Sequence, residues 1–148
     1  MTAFLQAYAI PCACAFLACV GFTLVFNIHG VGKLIAGVGG ALGWLIYLLL
    51  GQSIFASFLA AAAIGLFAEV MARVRLCPVT GYLLVALLPL VPGGGIYHAM
   101  RYCVEGDTAR FLSTLLQTLG SASALAVGAM LASSLFRSVF PHFHWSGK

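Results

Sequence analysis

The feature that most constrains this chain is the length of its uncharged runs. Thr2 to Phe26 holds no Asp, Glu, Lys or Arg. Leu34–Leu50 and Phe111–Phe136 hold none either, and Ile54–Ala72 and Val79–Tyr102 hold one each, Glu69 and Arg101, near their ends. A bilayer core needs roughly 20 apolar residues per helix. Five such runs predict helices over 4–26, 34–50, 54–72, 79–102 and 111–136. Five spans of that length use most of the chain, so residues 1–148 read as one transmembrane domain with tight loops. The fold class expected is an all-α polytopic membrane bundle of about five helices. Composition supports it: 7% of residues are charged, against about 25% in a soluble domain. An ordinary soluble enzyme, a disordered tail and a nucleic-acid module are all excluded by that inventory. The lipid bilayer is therefore the first partner.

Charges at the run ends set topology. No Lys or Arg precedes Lys33, so the first run lacks the basic flank of a cleaved signal and is read as a retained helix, although Leu17-Ala18-Cys19 resembles a lipoprotein box. With five spans, Lys33, Arg73, Arg75, Arg137 and Lys148 share one face, and Arg101 and Arg110 share the other with Glu105 and Asp107. The basic excess predicts that the first face is cytoplasmic, with the N-terminus outside and the C-terminus inside. The tail Pro141-His142-Phe143-His144-Trp145 is aromatic and interfacial in character.

The fourth run carries the strongest local signal, Pro89-Leu90-Val91-Pro92-Gly93-Gly94-Gly95. Proline removes a backbone N–H, and glycine is a poor helix former. The sequence therefore predicts a helix broken over 89–95, near mid-depth. In hydrocarbon the freed carbonyls and amides must find partners, so such a break either packs in protein or lines a polar cavity. A half-helix starting near Gly95 or Ile96 would aim free N–H groups at the carboxylate of a small solute. Elsewhere, Gly39 and Gly43 on the second helix and Gly120, Ala124 and Gly128 on the fifth have G-x-x-x-G-type spacing, which lets backbones approach closely. These two faces are expected to receive a partner chain.

The remaining polar candidates each have two readings. Glu69 stands four residues before Arg73, the spacing of an interfacial ion pair, but an intramembrane carboxylate is also a candidate for proton or substrate coupling. His98 is either a satisfied histidine or a titrating group. Gln117, Ser121 and Ser123 either bond across helices or face a solute path. Asn27 ends the first helix. The odd set Cys12, Cys14, Cys19, Cys77 and Cys103 has no C-x-x-C and reads as small buried hydrophobes. No metal-ligand spacing, P-loop, H-E-x-x-H or G-x-S-x-G is present, and His142 with His144 is a weak pair, so no metal, cofactor or catalytic residue is expected.

Three motifs together resemble a known family. Gly21-Phe22-Thr23-Leu24-Val25-Phe26-Asn27 closes the first helix, Gly37 to Trp44 (GVGGALGW) opens the second, and Pro89-Leu90-Val91-Pro92-Gly93 with Tyr97 lies in the fourth. Their order and spacing, from about Gly21 to Phe136, resemble the small subunit, or C-terminal membrane half, of the threonine/serine exporter family. The resemblance implies an inner-membrane secondary transporter exporting small amino acids or related carboxylates. It also implies a large partner subunit with five helices and a cytosolic segment, since this sequence matches only the second half. Five helices offer half of an inverted-repeat site. Two copies of this chain are the alternative assembly, and a non-transporting scaffold subunit is the alternative function. The candidate substrate-binding set is Asn27, Pro89, Pro92, Gly93, Gly94, Gly95, Tyr97, His98 and Ser121, with Glu69 as the coupling candidate.

Overall fold

The computed structural model describes residues 5–75 and 78–139. The interfacial tail, Lys148 and Cys77 lie outside the described residues, as do the first residues of the first run. The described chain is helical throughout, without a strand. A π turn, Leu5–Ala9, runs directly into α1, Ile10–Val25. Then follow α2, Gly32–Leu49, and α3, Ile54–Arg75. The fourth run becomes α4, Val79–Leu87, a 3-10 turn, Leu88–Leu90, and α5, Gly93–Glu105. The last helix is α6, Thr108–Val139.

Local chemistry explains these boundaries. Asn27 adopts φ 54°, and Ile28 N–H reaches back to the Thr23 carbonyl at 2.9 Å, so Asn27 is the left-handed residue of a Schellman stop. Gly106, at φ 80°, ends α5 in the same way, with Asp107 N–H on the Tyr102 carbonyl at 3.0 Å. Ser53 Oγ accepts the Ala56 N–H, and Asp107 Oδ1 accepts the Arg110 N–H, capping α3 and α6. Two helices overrun their predicted ends: α3 continues to Arg75 rather than stopping at 72, and α6 extends over Thr108–Val139 rather than 111–136. Arginine is a good helix former that can reach water from the last turn, so a basic residue ends hydrophobicity before it ends a helix.

Among the described residues three helices, α2, α3 and α6, are long and apolar enough to cross a bilayer. The α4–α5 pair passes the same test as one span bent by 46°, giving up to four, and α1 is a shorter apolar helix. The interior is built from small side chains such as Ala36, Ala60, Ala61 and Ala68, while Leu17, Leu24, Leu116 and Met130 point outward. A soluble core reverses that arrangement. In lipid, apolar side chains gain nothing by hiding from solvent, and close backbone approach holds the helices instead.

Helix α2 is the hub. Phe16 and Val20 of α1 fill the space beside Gly37, and Cys19 covers Gly40. Phe67 of α3 and Ala86 of α4 meet at Gly39, and Ile64 and Leu90 meet at Gly43. Gly128 of α6 lies on the Phe58 carbonyl and Ala61 of α3, and Gly120 lies against Ile54. The small-residue faces expected to receive a partner chain are thus largely consumed inside this one. Helices α3 and α6 run parallel, pairing Ile54 with Gly120, Gly65 with Ala132 and Glu69 with Arg137. Residues 108–119 of α6 therefore reach past the start of α3 and pair with α5 as an overhanging hairpin, whose tip carries Arg101–Glu105 and Arg110–Asp107 ion pairs at 2.7 and 3.3 Å.

Candidate functional site

The break is narrower than the sequence implies. It occupies Leu88–Pro92, and Gly93, Gly94 and Gly95 form the first turn of α5 rather than an unwound loop. The half-helix begins at Gly93, not at Gly95 or Ile96. The prolines make the break: each removes a helical donor, whereas glycine keeps its N–H and costs a helix only about 1 kcal/mol.

The structure shows where the freed backbone groups go. Pro89 leaves the Val85 carbonyl, four residues earlier, without its helical donor. Cys19 Sγ of α1 donates to that carbonyl at 3.3 Å, wholly buried. Val91 N–H turns back to the Leu88 carbonyl at 3.2 Å, and Gly93 N–H donates to the Val91 carbonyl at 2.7 Å. Ile96 N–H reaches the Pro92 carbonyl at 3.3 Å. Among the described residues Gly94 and Gly95 remain as the free first-turn donors of α5. Cys19 was read from sequence as a small hydrophobe only. The spacing from Pro89 identifies the orphaned carbonyl as Val85, but nothing in a linear sequence says which thiol reaches it.

Beside the break is a groove of about 180 Å³, lined by Leu87, Val91, Pro92, Ala122, Leu125 and Ala129 among others. Its lining is hydrocarbon, so the polar character of the place comes from the helix terminus rather than from side chains. Ala129 faces Gly65, halfway along α3, so the inner end of the groove is at mid-span, but the break itself is not at the mid-depth the sequence predicts: Gly95 packs on Thr118, level with the start of α3 at Ile54. Val91, Gly93 and Gly94 are exposed, so the break opens outward from this bundle and not into its interior.

The other predicted site residues do not all gather there. Gly95 does, and tightly: a Cβ on it would overlap Thr118 of α6. Ser121 lies one residue from the groove wall and donates to the Gln117 carbonyl at 3.1 Å. Tyr97 and His98 stand exposed on α5 with their rings edge to face, 5.4 Å apart. Asn27 is at the other end of α4, where its neighbour Ile28 reaches Gly81, nine residues of helical path or roughly 13 Å from Leu90. Asn27 shapes the end of α1 and is not part of the break.

Glu69 also stands apart, toward the end of the bundle that carries Arg73 and Arg75. It is 1% exposed. Arg73 Nη1 donates to its Oε2 at 2.5 Å and to its main-chain carbonyl at 2.9 Å. Arg137 Nε of α6 donates to its Oε1 at 3.3 Å. The Arg73 guanidinium lies over the Phe136 ring at 4.3 Å, and its Nε is buried without a partner among the described residues. The i,i+4 pair was legible in the sequence. The second arginine was missed, and its only signal was that Arg137 closes the last apolar run as Arg73 closes the third. Among the described residues no group of His, Cys, Asp and Glu could hold a metal ion.

Comparison with known proteins bears on this geometry. A family model described as Threonine/Serine exporter, ThrE, matches residues 11–135. A curated protein of Corynebacterium glutamicum named "Threonine/serine exporter" is 29% identical over 107 residues, which is 72% of this chain and 22% of that protein. The chain thus spans about a fifth of the length of that relative. No solved structure matches.

Proposed function

Because this chain belongs to the threonine/serine exporter family, we propose that it is one membrane half of a secondary transporter that moves small amino acids or related small carboxylates out of the cell, with a larger chain supplying the other half. Family membership and the apolar helices make it a multi-pass membrane transport protein. The solute, the partner and the orientation are the parts we propose. The relative named above carries far more chain than the stretch matched here, which supports a partner of that kind.

The observation that carries the reading is the direction of the break. The free first-turn donors of α5 lie level with the start of α3, at the outer end of a groove that reaches mid-span, and need a polar partner wherever lipid would otherwise cover them. Gly94 is exposed on the outside of this bundle, so a second wall would cover it, and a solute carboxylate between the two walls would satisfy these donors. A helix N-terminus attracts a carboxylate without a buried arginine. Of the earlier candidates, Pro89, Pro92, Gly93, Gly94 and Gly95 stay in this proposed site, with Ser121 at its edge. Tyr97 and His98 face the same outer space from α5. We place the chain in the inner membrane, N-terminus outside, because Lys33, Arg73, Arg75 and Arg137 lie at one end of the bundle.

The hydrocarbon lining of the groove also suits a helix of a partner that this chain merely supports, the scaffold reading. Efflux separates the two. Cells expressing the chain with its partner are preloaded with a panel of radiolabelled amino and dicarboxylic acids. Pro89→Ala with Pro92→Ala restores both helical donors. We expect normal membrane insertion and a sharp loss of efflux. Wild-type efflux from that variant would leave the scaffold reading.

A further inference from the structure

Along α6, Ala122, Ala126 and Ala129 wall the groove, and the same helical face continues through Ser133 to Arg137 at spacings of three or four residues. This lane of small side chains meets a guanidinium beyond the groove, whose wall ends at Ala129. That guanidinium is incompletely neutralised. Glu69 is one carboxylate opposite two arginines, and Arg73 holds it with the shorter bond and a second bond to its carbonyl. Arg73 is pinned under Phe136, whereas Arg137 is 68% exposed and touches Glu69 through Nε alone.

The geometry points to Arg137 as the residue that first receives the carboxylate of the solute at the basic end of the lane, with Glu69 as a built-in competitor. The inference rests on the export reading above and adds a residue to it. A guanidinium binds a carboxylate through two parallel N–H bonds. An incoming carboxylate takes the Nη edge of Arg137 and draws it off Glu69, which stays on Arg73, so each guanidinium then has its own carboxylate, where without solute the two share one. As the solute moves up the lane toward the α5 terminus, Arg137 returns to Glu69. Glu69 thereby has a task that needs no proton transfer.

The test uses inside-out membrane vesicles from cells expressing the chain with its partner, and the panel solute that the wild type moves fastest. Arg137→Ala should raise the half-saturating concentration on the order of tenfold, the worth of one charged hydrogen-bonding group, and leave the maximal rate per inserted protein near wild type. Arg137→Lys should fall between. Glu69→Gln removes the competitor, so the half-saturating concentration should stay level or fall. An ion pair that only ties α3 to α6 predicts instead that Glu69→Gln and Arg137→Ala shift the same way, and that result would overturn the inference. If Glu69→Gln does not insert, the split in Arg137→Ala decides: a maximal rate that falls while half-saturation holds marks a tie between α3 and α6 and overturns the inference. Unchanged half-saturation in Arg137→Ala also overturns it. A second arm reconstitutes the purified complex in phosphatidylcholine with and without phosphatidylglycerol. An Arg137→Ala effect present in both supports a solute carboxylate, and one present only with phosphatidylglycerol assigns Arg137 to a lipid phosphate. Wild-type vesicles that take up nothing from the panel would overturn the export reading itself.

Discussion

Cys19 and Pro89 are far apart in the chain, yet the carbonyl that the proline orphans is the one the thiol caps. A thiol is a weak donor, but a buried carbonyl without any donor costs about 1–3 kcal/mol. Cys19→Ala should therefore lower the thermal midpoint of the detergent-purified protein, and Cys19→Ser, which keeps a donor, should lower it less. Equal losses would mean that the sulfur only fills space beside Gly40. Two adjacent glycines make a second contrast. A Cβ at Gly94 meets open space, whereas one at Gly95 would overlap Thr118. Gly94→Ala should raise stability by up to about 1 kcal/mol through helix propensity. Gly95→Ala should lower it, and adding Thr118→Ala should recover part of the loss, a non-additivity that unfolding of the double variant measures.

At the scale of elements, the packing of α2 and α6 changes what their glycines mean. Gly43 is closed by Ile64 and Leu90, and Gly128 by the Phe58 backbone. Gly43→Leu or Gly128→Leu should destabilise the chain on its own, seen as a lowered midpoint in detergent without any partner present. A variant that melts like the wild type but no longer associates with a partner would restore the intermolecular reading. The α4–α5 break gives the same lesson in another form. Proline positions were enough to place it, but the three glycines that follow looked like more of the break and instead begin the next helix.

For the whole molecule, α3 and α6 run parallel with Glu69, Arg73 and Arg137 at one shared end. The loop near Gly51 and the hairpin tip near Glu105 lie at the opposite end. Reporter fusions at Gly51 and Glu105 should read periplasmic, and one at the C-terminus cytoplasmic. A periplasmic C-terminus would require a different number of crossings and would remove the argument for Arg137 as the residue met first.

The sequence by itself determined that the chain is a helical membrane bundle, where its apolar runs begin and end to within a few residues, and that the fourth run is broken. These properties depend on length, charge and proline, which act locally or through the solvent. It also carried the family: Gly37–Trp44 and Pro89–Gly93, on which the resemblance rests, lie within the residues 11–135 that the family model matches. Only the tertiary structure decided which small faces are spent inside the chain, which thiol meets the Val85 carbonyl, and that Glu69 answers two arginines rather than one. Those outcomes depend on which helix lies beside which. In lipid that choice is set by shape and by a few buried polar pairs, not by the hydrophobic pattern, which is satisfied on every side of every span.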